Sequence, residues 1–97
     1  MPATSNKQPI SEAAGEFGRR VRERRLDLEL SLESLAERSE LHWSYLGQVE
    51  RGQNNLTLHS ILRVAASLEM DPGALLKGLS PPPPEPATSR RSSRRSN

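Results

Sequence analysis

Four residues have the types and the spacing of a surface that hydrogen-bonds a partner: Trp43, Ser44, Gly47 and Gln48. At about 100° per residue around a helix axis, Ser44, Gly47 and Gln48 fall on one side, with Trp43 on the flank. This face is small, polar and uncharged, unlike the Lys and Glu mixture of a solvated helix. It favours insertion into a close-fitting partner, and the major groove of double-stranded DNA admits one α-helix. In that groove a Gln amide can pair with adenine through two hydrogen bonds.

Two short helices joined by a tight turn must position these side chains. Ser31 is a suitable N-cap for a helix over 32–39, because its hydroxyl can accept a free first-turn N–H. A break near Glu40 precedes a second helix over 43–51, and Gly52 follows where helices often end in the left-handed conformation. The packing side of the second helix is predicted to consist of His42, Tyr45, Leu46 and Val49.

Three more helices are predicted around this pair, which makes the fold class all-α with five helices. Their spans are about 11–28, 58–68 and 72–77, and the last begins at an Asp-Pro pair, a strong helix start. The apolar face of the fourth helix is predicted to be wide, with Leu58, Ile61, Leu62, Ala65 and Leu68. The core is predicted to form from Phe17, Val21, Leu35, Leu46, Val49, Ile61 and Leu62.

Charge and composition divide the chain into a body and two ends. The 97 residues have a net charge of +2, yet residues 10–79 hold nine basic and eleven acidic side chains, a formal −2. Residues 1–10 are polar with two prolines, and residues 80–97 combine four consecutive prolines with a repeated Arg-Arg-Ser unit. Both ends are predicted to be disordered, which leaves one domain over 11–79. The tail arginines predict either a solubilising appendage or a non-specific DNA-binding arm.

Several classes of protein are disfavoured by composition. Cysteine is absent, which excludes a disulfide framework and a thiolate nucleophile, and only His42 and His59 could serve as imidazole ligands. No Ser/His/Asp arrangement or phosphate-cradling Gly-rich loop is found, so we expect no enzyme, metal or cofactor. No apolar run approaches the roughly 20 residues that span a bilayer, and no leader opens the chain. A cytoplasmic protein is expected, associated with the nucleoid when bound to DNA.

The order of residues around the turn resembles the Cro/repressor (XRE) helix-turn-helix family. Ala36, three residues, a turn position, two apolar residues and then Glu50-Arg51-Gly52 stand where that family has them. The resemblance covers about 11–79, and residues 45–60 are most similar to the controller proteins of restriction–modification systems. Two positions depart from the family: Glu40 replaces the usual turn Gly, and Leu32 replaces a Gln that often contacts a phosphate.

The resemblance implies a sequence-specific transcription regulator that binds an inverted-repeat operator as a homodimer, such as a restriction–modification controller. The alternative is an antitoxin-type protein that binds both DNA and a toxin partner. Base contacts are assigned to the four residues of the polar face, and Arg25 and Glu50 to a structural ion pair. Phosphate contacts are assigned to Arg22, Tyr45, Asn54, Asn55, Thr57 and His59.

Some assignments keep a second interpretation. Trp43 fits a core or an interface as well as a groove edge, and Tyr45 fits packing as well as a phosphate. The arginines of the first helix fit a solvated basic face as well as phosphate binding. Three leucines near the C-terminus predict a dimer interface, or else they close the same core: Leu75, Leu76 and Leu79.

Overall fold

The computed structural model describes residues 8–84, and within that range the chain forms five α-helices and no strand. The helices are α1 (Glu12–Asp27), α2 (Leu32–Ser39), α3 (Trp43–Glu50), α4 (Leu58–Ser67) and α5 (Pro72–Leu76). The predicted fold class is confirmed. Each predicted helix end that differs from the observed one does so by a single residue, because the prediction included capping residues such as Ser11 and Arg51.

Hydroxyl side chains begin three of the helices. Ser11, Ser31 and Thr57 each accept the backbone N–H three residues further on, at 3.0, 3.0 and 3.2 Å. These bonds satisfy N–H groups that have no partner within the helix. Asp71 makes no such bond, and α5 starts instead with Pro72, whose fixed φ suits the first turn.

Four helices end in the same backbone motif, in which a left-handed residue follows the last turn. The next N–H then donates to the carbonyl five residues back, at 2.8–3.2 Å, as in a Schellman motif. Gly52 is the left-handed residue after α3, but Glu29, Glu40 and Glu69 occupy it after α1, α2 and α4, with φ of 58°, 60° and 57°. Glu40 therefore makes the turn that the family usually makes with Gly, at a cost of roughly 1 kcal/mol.

The core differs from the predicted one on α4. Among residues 8–84, nine apolar side chains are buried: Phe17, Val21, Leu35, Leu46, Val49, Val64, Ala65, Leu68 and Leu75. Leu62, predicted inside, is 42% exposed, Leu58 is 66% exposed, and Ile61 is only partly buried. The buried stripe of α4 runs through Val64, Ala65 and Leu68, and the two exposed leucines lie about 60° and 100° to one side of Ile61.

α1 crosses the end of α3 at very short range, and a glycine makes this possible. A Cβ on Gly18 would lie 2.2 Å from the Val49 carbonyl oxygen and 2.7 Å from that of Glu50. Only a residue without a side chain fits at this crossing. The contact with α1 therefore helps to fix the orientation of α3.

Residues 8–10, assigned by the sequence to a disordered arm, lie against the body. The Ile10 N–H donates to the Gly52 carbonyl at 2.8 Å, and the Gln53 side-chain amide donates to the Gln8 carbonyl at 3.0 Å. A Cβ on Gly52 would collide with Gly15 and Pro9, at 2.8–2.9 Å. The segment before α1 therefore holds the loop that follows α3. Residues 1–7 and 85–97 lie outside the described range, including the arginines of the tail.

Candidate nucleic-acid interface

Three of the four predicted base-contacting residues are exposed on α3, and the fourth is covered. Trp43 is 52% exposed, and Ser44 and Gln48 are also exposed. Gly47 is buried, and a Cβ there would meet the Arg51 guanidinium at 3.3 Å and a Leu32 methyl at 3.6 Å. In the free protein Gly47 lies beneath the exposed Arg51 side chain, and its contact with a base stays a prediction.

His42 caps α3. The sequence analysis predicted this residue on the packing side of the helix, and that prediction is wrong. The ring is exposed, and its Nδ1 accepts the backbone N–H of Ser44 at 3.1 Å. The Ser44 Oγ lies 2.8 Å from the same nitrogen. The imidazole also stacks on Trp43, with ring centroids 5.9 Å apart and an interplanar angle of 26°. The first turn of α3 is thereby held in one arrangement.

Gln48 is held from the other end of the helix. The Asn54 side-chain amide donates to Gln48 Oε1 at 2.7 Å. Asn54 is half-buried in the loop after α3, and that loop is closed by the bond from the Gln53 N–H to the Gln48 carbonyl at 2.8 Å. The amide of Gln48 therefore has a protein partner before any base approaches it.

The other residues predicted to contact phosphates are placed unequally. Asn55, Thr57 and His59 are exposed, and Tyr45 is half-buried against the core, which agrees with its packing interpretation. The Thr57 hydroxyl caps α4 and donates to Ser60 Oγ at 3.1 Å. Tyr45 lies on α3 itself, whereas Asn55, Thr57 and His59 lie in the loop after α3 or in the first turn of α4.

Most of the arginines on α1 are engaged within the protein. Arg20 donates to the Leu75 carbonyl at 3.0 Å, and Arg24 donates to that of Leu68 at 2.9 Å. They satisfy carbonyls at the ends of α5 and α4, which have no partner within their helices. Arg19 pairs with Glu16 at 2.8 Å, and this carboxylate raises the pKa of the guanidinium. These three arginines thus already donate to groups of the protein itself.

Arg25 and Glu50 form a buried bidentate pair between α1 and α3. Arg25 Nε lies 2.6 Å and Nη2 3.0 Å from the carboxylate oxygens, and the side chains are 10% and 5% exposed. The Glu50 carboxylate accepts these bonds and raises the pKa of Arg25. Arg25 also donates to the Leu30 carbonyl at 2.8 Å, which ties the end of α1 to the start of α2.

Two arginines remain exposed near the C-terminal end of α3. The Arg22 side chain is 60% exposed, and its Nη1 lies 3.9 Å from Glu50 Oε1. Arg51 directly follows that glutamate and is also exposed. Within residues 8–84, Arg51 forms no ion pair. The sequence analysis assigned no site role to Arg51. Its spacing was the available signal, since it lies four residues after Gly47 and seven after Ser44, on the same side of the helix.

Comparison with known proteins identifies this arrangement. A family model described as a helix-turn-helix domain matches residues 16–84, which include α2, α3 and the Arg25–Glu50 pair. The chain belongs to the Cro/repressor (XRE) helix-turn-helix family. Because this family consists of DNA-binding transcription regulators, the protein is a regulator rather than an enzyme.

Relatives of this helix-turn-helix protein include restriction–modification controllers. Control protein C.BamHI of Bacillus amyloliquefaciens is 38% identical over 61 residues, which are 62% of this chain and 75% of that one. The crystal structure of the controller protein C.AhdI from Aeromonas hydrophila is 47% identical, with a TM-score of 0.63, covering 64% of this chain and 94% of that one. The crystal structure of SinR in complex with DNA is 32% identical, with a TM-score of 0.60, covering 63% of this chain and 98% of that one.

The C-terminal leucines of this helix-turn-helix protein are not equivalent. Leu75 is fully buried in the core, so its assignment to an exposed interface is wrong, because the short α5 turns this side chain towards α1 and α4. Leu76 is 40% exposed and Leu79 is partly buried. Both line a groove of about 250 Å³ whose other apolar residues are Ile10, Ala13, Ala14, Phe17, Leu56, Ile61 and Pro82.

Residues 8–84 contain no cluster of three or more His, Cys, Asp or Glu side chains that could hold a metal ion. None of the five helices has the length and apolar character needed to cross a membrane.

Proposed function

We propose that this protein binds an inverted-repeat DNA operator as a homodimer and regulates transcription as a restriction–modification controller. The observation that carries the proposal is the exposed face of α3. It presents Trp43, Ser44 and Gln48, uncharged side chains suited to base edges, with the cations Arg22 and Arg51 at one end. Phosphates flanking a major groove would meet these two arginines. The similarity to C.BamHI and C.AhdI favours a controller.

Homodimerisation is proposed because a single α3 can discriminate between only a few base pairs. A good bidentate contact contributes roughly 1–3 kcal/mol of discrimination, and a single α3 has room for few of them. That is too little to select one site in a genome, whereas a two-fold dimer doubles the readout. Half-sites about one helical turn apart would then face the two copies of α3.

The dimer interface is proposed to lie on α4 and α5. Leu76 and Leu79 remain candidates from the sequence, and the structure adds Leu58 and Leu62, which are 66% and 42% exposed. Leu58 and Leu62 are four residues apart and so share one side of α4. Leu76 lines the same groove as Ile61. A cluster of exposed leucines on a small protein is typical of an interface.

The assignment of the reading face is tested with Gln48→Ala. An operator is first selected from a pool of random duplexes, and affinities are compared by gel-shift competition. Loss of the amide should lower operator preference by about 5- to 150-fold, the equivalent of one bidentate contact. Glu23→Ala, an exposed change on α1, is the control. If Gln48→Ala leaves both affinity and preference unchanged, the face is assigned incorrectly.

The interface is tested by sedimentation of Leu62→Glu and Leu76→Glu. Each should yield a folded monomer, because a buried carboxylate without a partner opposes association. Leu26→Glu is the matched control, since Leu26 on α1 is 51% exposed and lies outside the proposed interface. An intact dimer in both variants would rule out this placement. An unfolded chain would show that the leucine belongs to the core.

A further inference from the structure

We propose that His42 and Asn54 are positioning residues that determine which hydrogen-bonding groups Ser44 and Gln48 offer to DNA bases. Neither was assigned a role in base reading by the sequence. The inference rests on the proposed function, because it concerns the same exposed face of α3. It predicts the class of base that each reading residue prefers.

The Asn54 amide occupies one side of the Gln48 oxygen. Its Nδ2 lies 2.7 Å from Gln48 Oε1 and takes one of the two lone pairs on that oxygen. Gln48 keeps one lone pair and both N–H groups. This is the set that adenine requires, since its N6 amino group donates and its N7 accepts. The amide orientation is selected before DNA binds, which lowers the entropy lost on binding.

The loop that carries Asn54 is itself held in place. It follows a loop that is fixed by the Gln53 N–H to Gln48 carbonyl bond at 2.8 Å and by the Gln53 side chain on the Gln8 carbonyl at 3.0 Å. Asn54 is half-buried in this loop. A donor on a fixed loop restrains its acceptor more than a donor on a free side chain does. The bond therefore acts on Gln48 rather than the reverse.

His42 determines in a similar way whether the Ser44 hydroxyl donates or accepts a hydrogen bond. The Ser44 backbone N–H donates to His42 Nδ1 at 3.1 Å, so this nitrogen carries no proton and the neutral ring holds its proton on Nε2. The Ser44 Oγ, 2.8 Å from the same Nδ1, can then only donate to it, in a three-centre bond that shares the single lone pair of the nitrogen with the backbone N–H. Both lone pairs of the hydroxyl stay free. Ser44 is thus an acceptor, and the base donors in the major groove are adenine N6 and cytosine N4.

The proposal separates two possible roles for Asn54. A phosphate contact would hold all DNA sequences equally, because phosphates carry no base information. A positioning residue would instead affect discrimination at the one base pair that Gln48 reads. The same distinction applies to His42, where a cap that acts only on stability would leave base preference unchanged.

The experiment sequences the duplexes that full-length wild type and variants select from a random pool. The position read by Gln48 is identified as the one whose preference Gln48→Ala loses, and we expect adenine there. Asn54→Ala should reduce discrimination at that position by about five- to tenfold and leave the other positions unchanged. Asn54→Asp, which has only acceptors, should turn the Gln48 Nε2 towards the loop and shift the preference from adenine, which donates and accepts, towards cytosine, which offers only its N4 donor. Glu23→Ala, an exposed change on α1, is the comparison and should leave all preferences unchanged.

His42 is tested in the same selection with a conservative rescue. His42→Ala should relax the preference for adenine or cytosine at the position that Ser44→Ala identifies. His42→Asn should restore it, because the Asn side-chain oxygen can accept both bonds from Ser44. Denaturation of both variants shows whether they remain folded during the selection.

The outcomes distinguish the inference from the proposed function. If wild type selects no sequence, the proposed function fails. If wild type is selective but Asn54→Ala weakens all sequences equally or has no effect, the positioning role of Asn54 is refuted. The role of His42 is refuted if His42→Ala, while folded, keeps the preference at the Ser44 position.

Discussion

Gly18→Ala should severely destabilise the protein although it adds one methyl group. The added Cβ would lie 2.2 Å from the Val49 carbonyl oxygen, whereas carbon and oxygen normally approach to about 3.3 Å. A rotation of α1 gives little relief, because the Glu50 carbonyl oxygen is only 2.7 Å from the same Cβ. The two helices must therefore separate by about 1 Å, the shortfall from that normal contact.

The size of the effect can be estimated from what this separation disturbs. Overpacking of this kind typically costs about 1–3 kcal/mol. The same movement strains the buried Arg25–Glu50 pair, whose complete loss would cost about 3–5 kcal/mol. Replacing a helical Gly with Ala stabilises the helix by about 1 kcal/mol, which offsets part of this loss. We expect a net loss of about 2–4 kcal/mol, out of a total stability of about 4–10 kcal/mol for a domain of this size.

Urea denaturation followed by circular dichroism measures this loss, with Gly47→Ala as the matched control. A Cβ on Gly47 meets only the flexible end of Arg51 at 3.3 Å and Leu32 at 3.6 Å, so the change should stabilise by up to about 1 kcal/mol. The same substitution in two helices thus has opposite expected signs. The reasoning is refuted if the free energy of unfolding of Gly18→Ala lies within about 0.5 kcal/mol of the wild-type value, the usual range of a neutral surface change.

Four further outcomes are expected. Glu40→Gly should raise the free energy of unfolding in urea by up to about 1 kcal/mol, because φ of 60° strains any residue with a Cβ. Glu50→Gln should lower it by about 3–5 kcal/mol, because Arg25 stays buried without its carboxylate. The pKa of Glu16 is lowered from 4.5 to about 2, chiefly by hydrogen bonds from Arg19 and then Arg20, so its contribution is complete above pH 4.5 and lost as the pH falls towards 2. Glu16→Gln should remove this acid dependence, which should also be weak in 1 M salt because the group is exposed. Truncation after Ser80 should make the salt dependence of DNA binding shallower by up to about four phosphate contacts, near 0.9 log units each, and an unchanged slope would identify the tail as a solubilising appendage.

The helices were predictable because local signals determine where they begin and end. Ser31 caps α2 through a bond within four residues, and the left-handed position after α3 carries a Gly. The apolar period of α4 showed that a helix was present but not which part of its wide stripe would be buried. Leu62 and Val64 could each have faced inwards, and the positions of α2 and α5 decide which does. That information is tertiary.

The reading face was only partly predictable for a related reason. Helical phase placed Ser44, Gly47 and Gln48 on one side, and that is where they are. Whether a residue on that side is open depends on the length of its neighbours, and the Arg51 side chain covers Gly47. The bond that His42 accepts from Ser44 and the bond that Asn54 donates to Gln48 likewise depend on backbone turns at the two ends of α3, which periodicity does not describe.

The charge of α1 shows most clearly why side-chain roles cannot be assigned from composition. Its arginines suggested a basic surface, yet Arg20 and Arg24 bind carbonyls at the ends of α5 and α4, and Arg25 is buried with Glu50. A guanidinium on a long chain can satisfy a helix end on another element, and this role leaves no local spacing signal. The body therefore has fewer free cations for phosphates than the sequence suggests. A monomer should bind DNA weakly, so dimerisation and the distal arginines of the tail become the two ways to raise affinity.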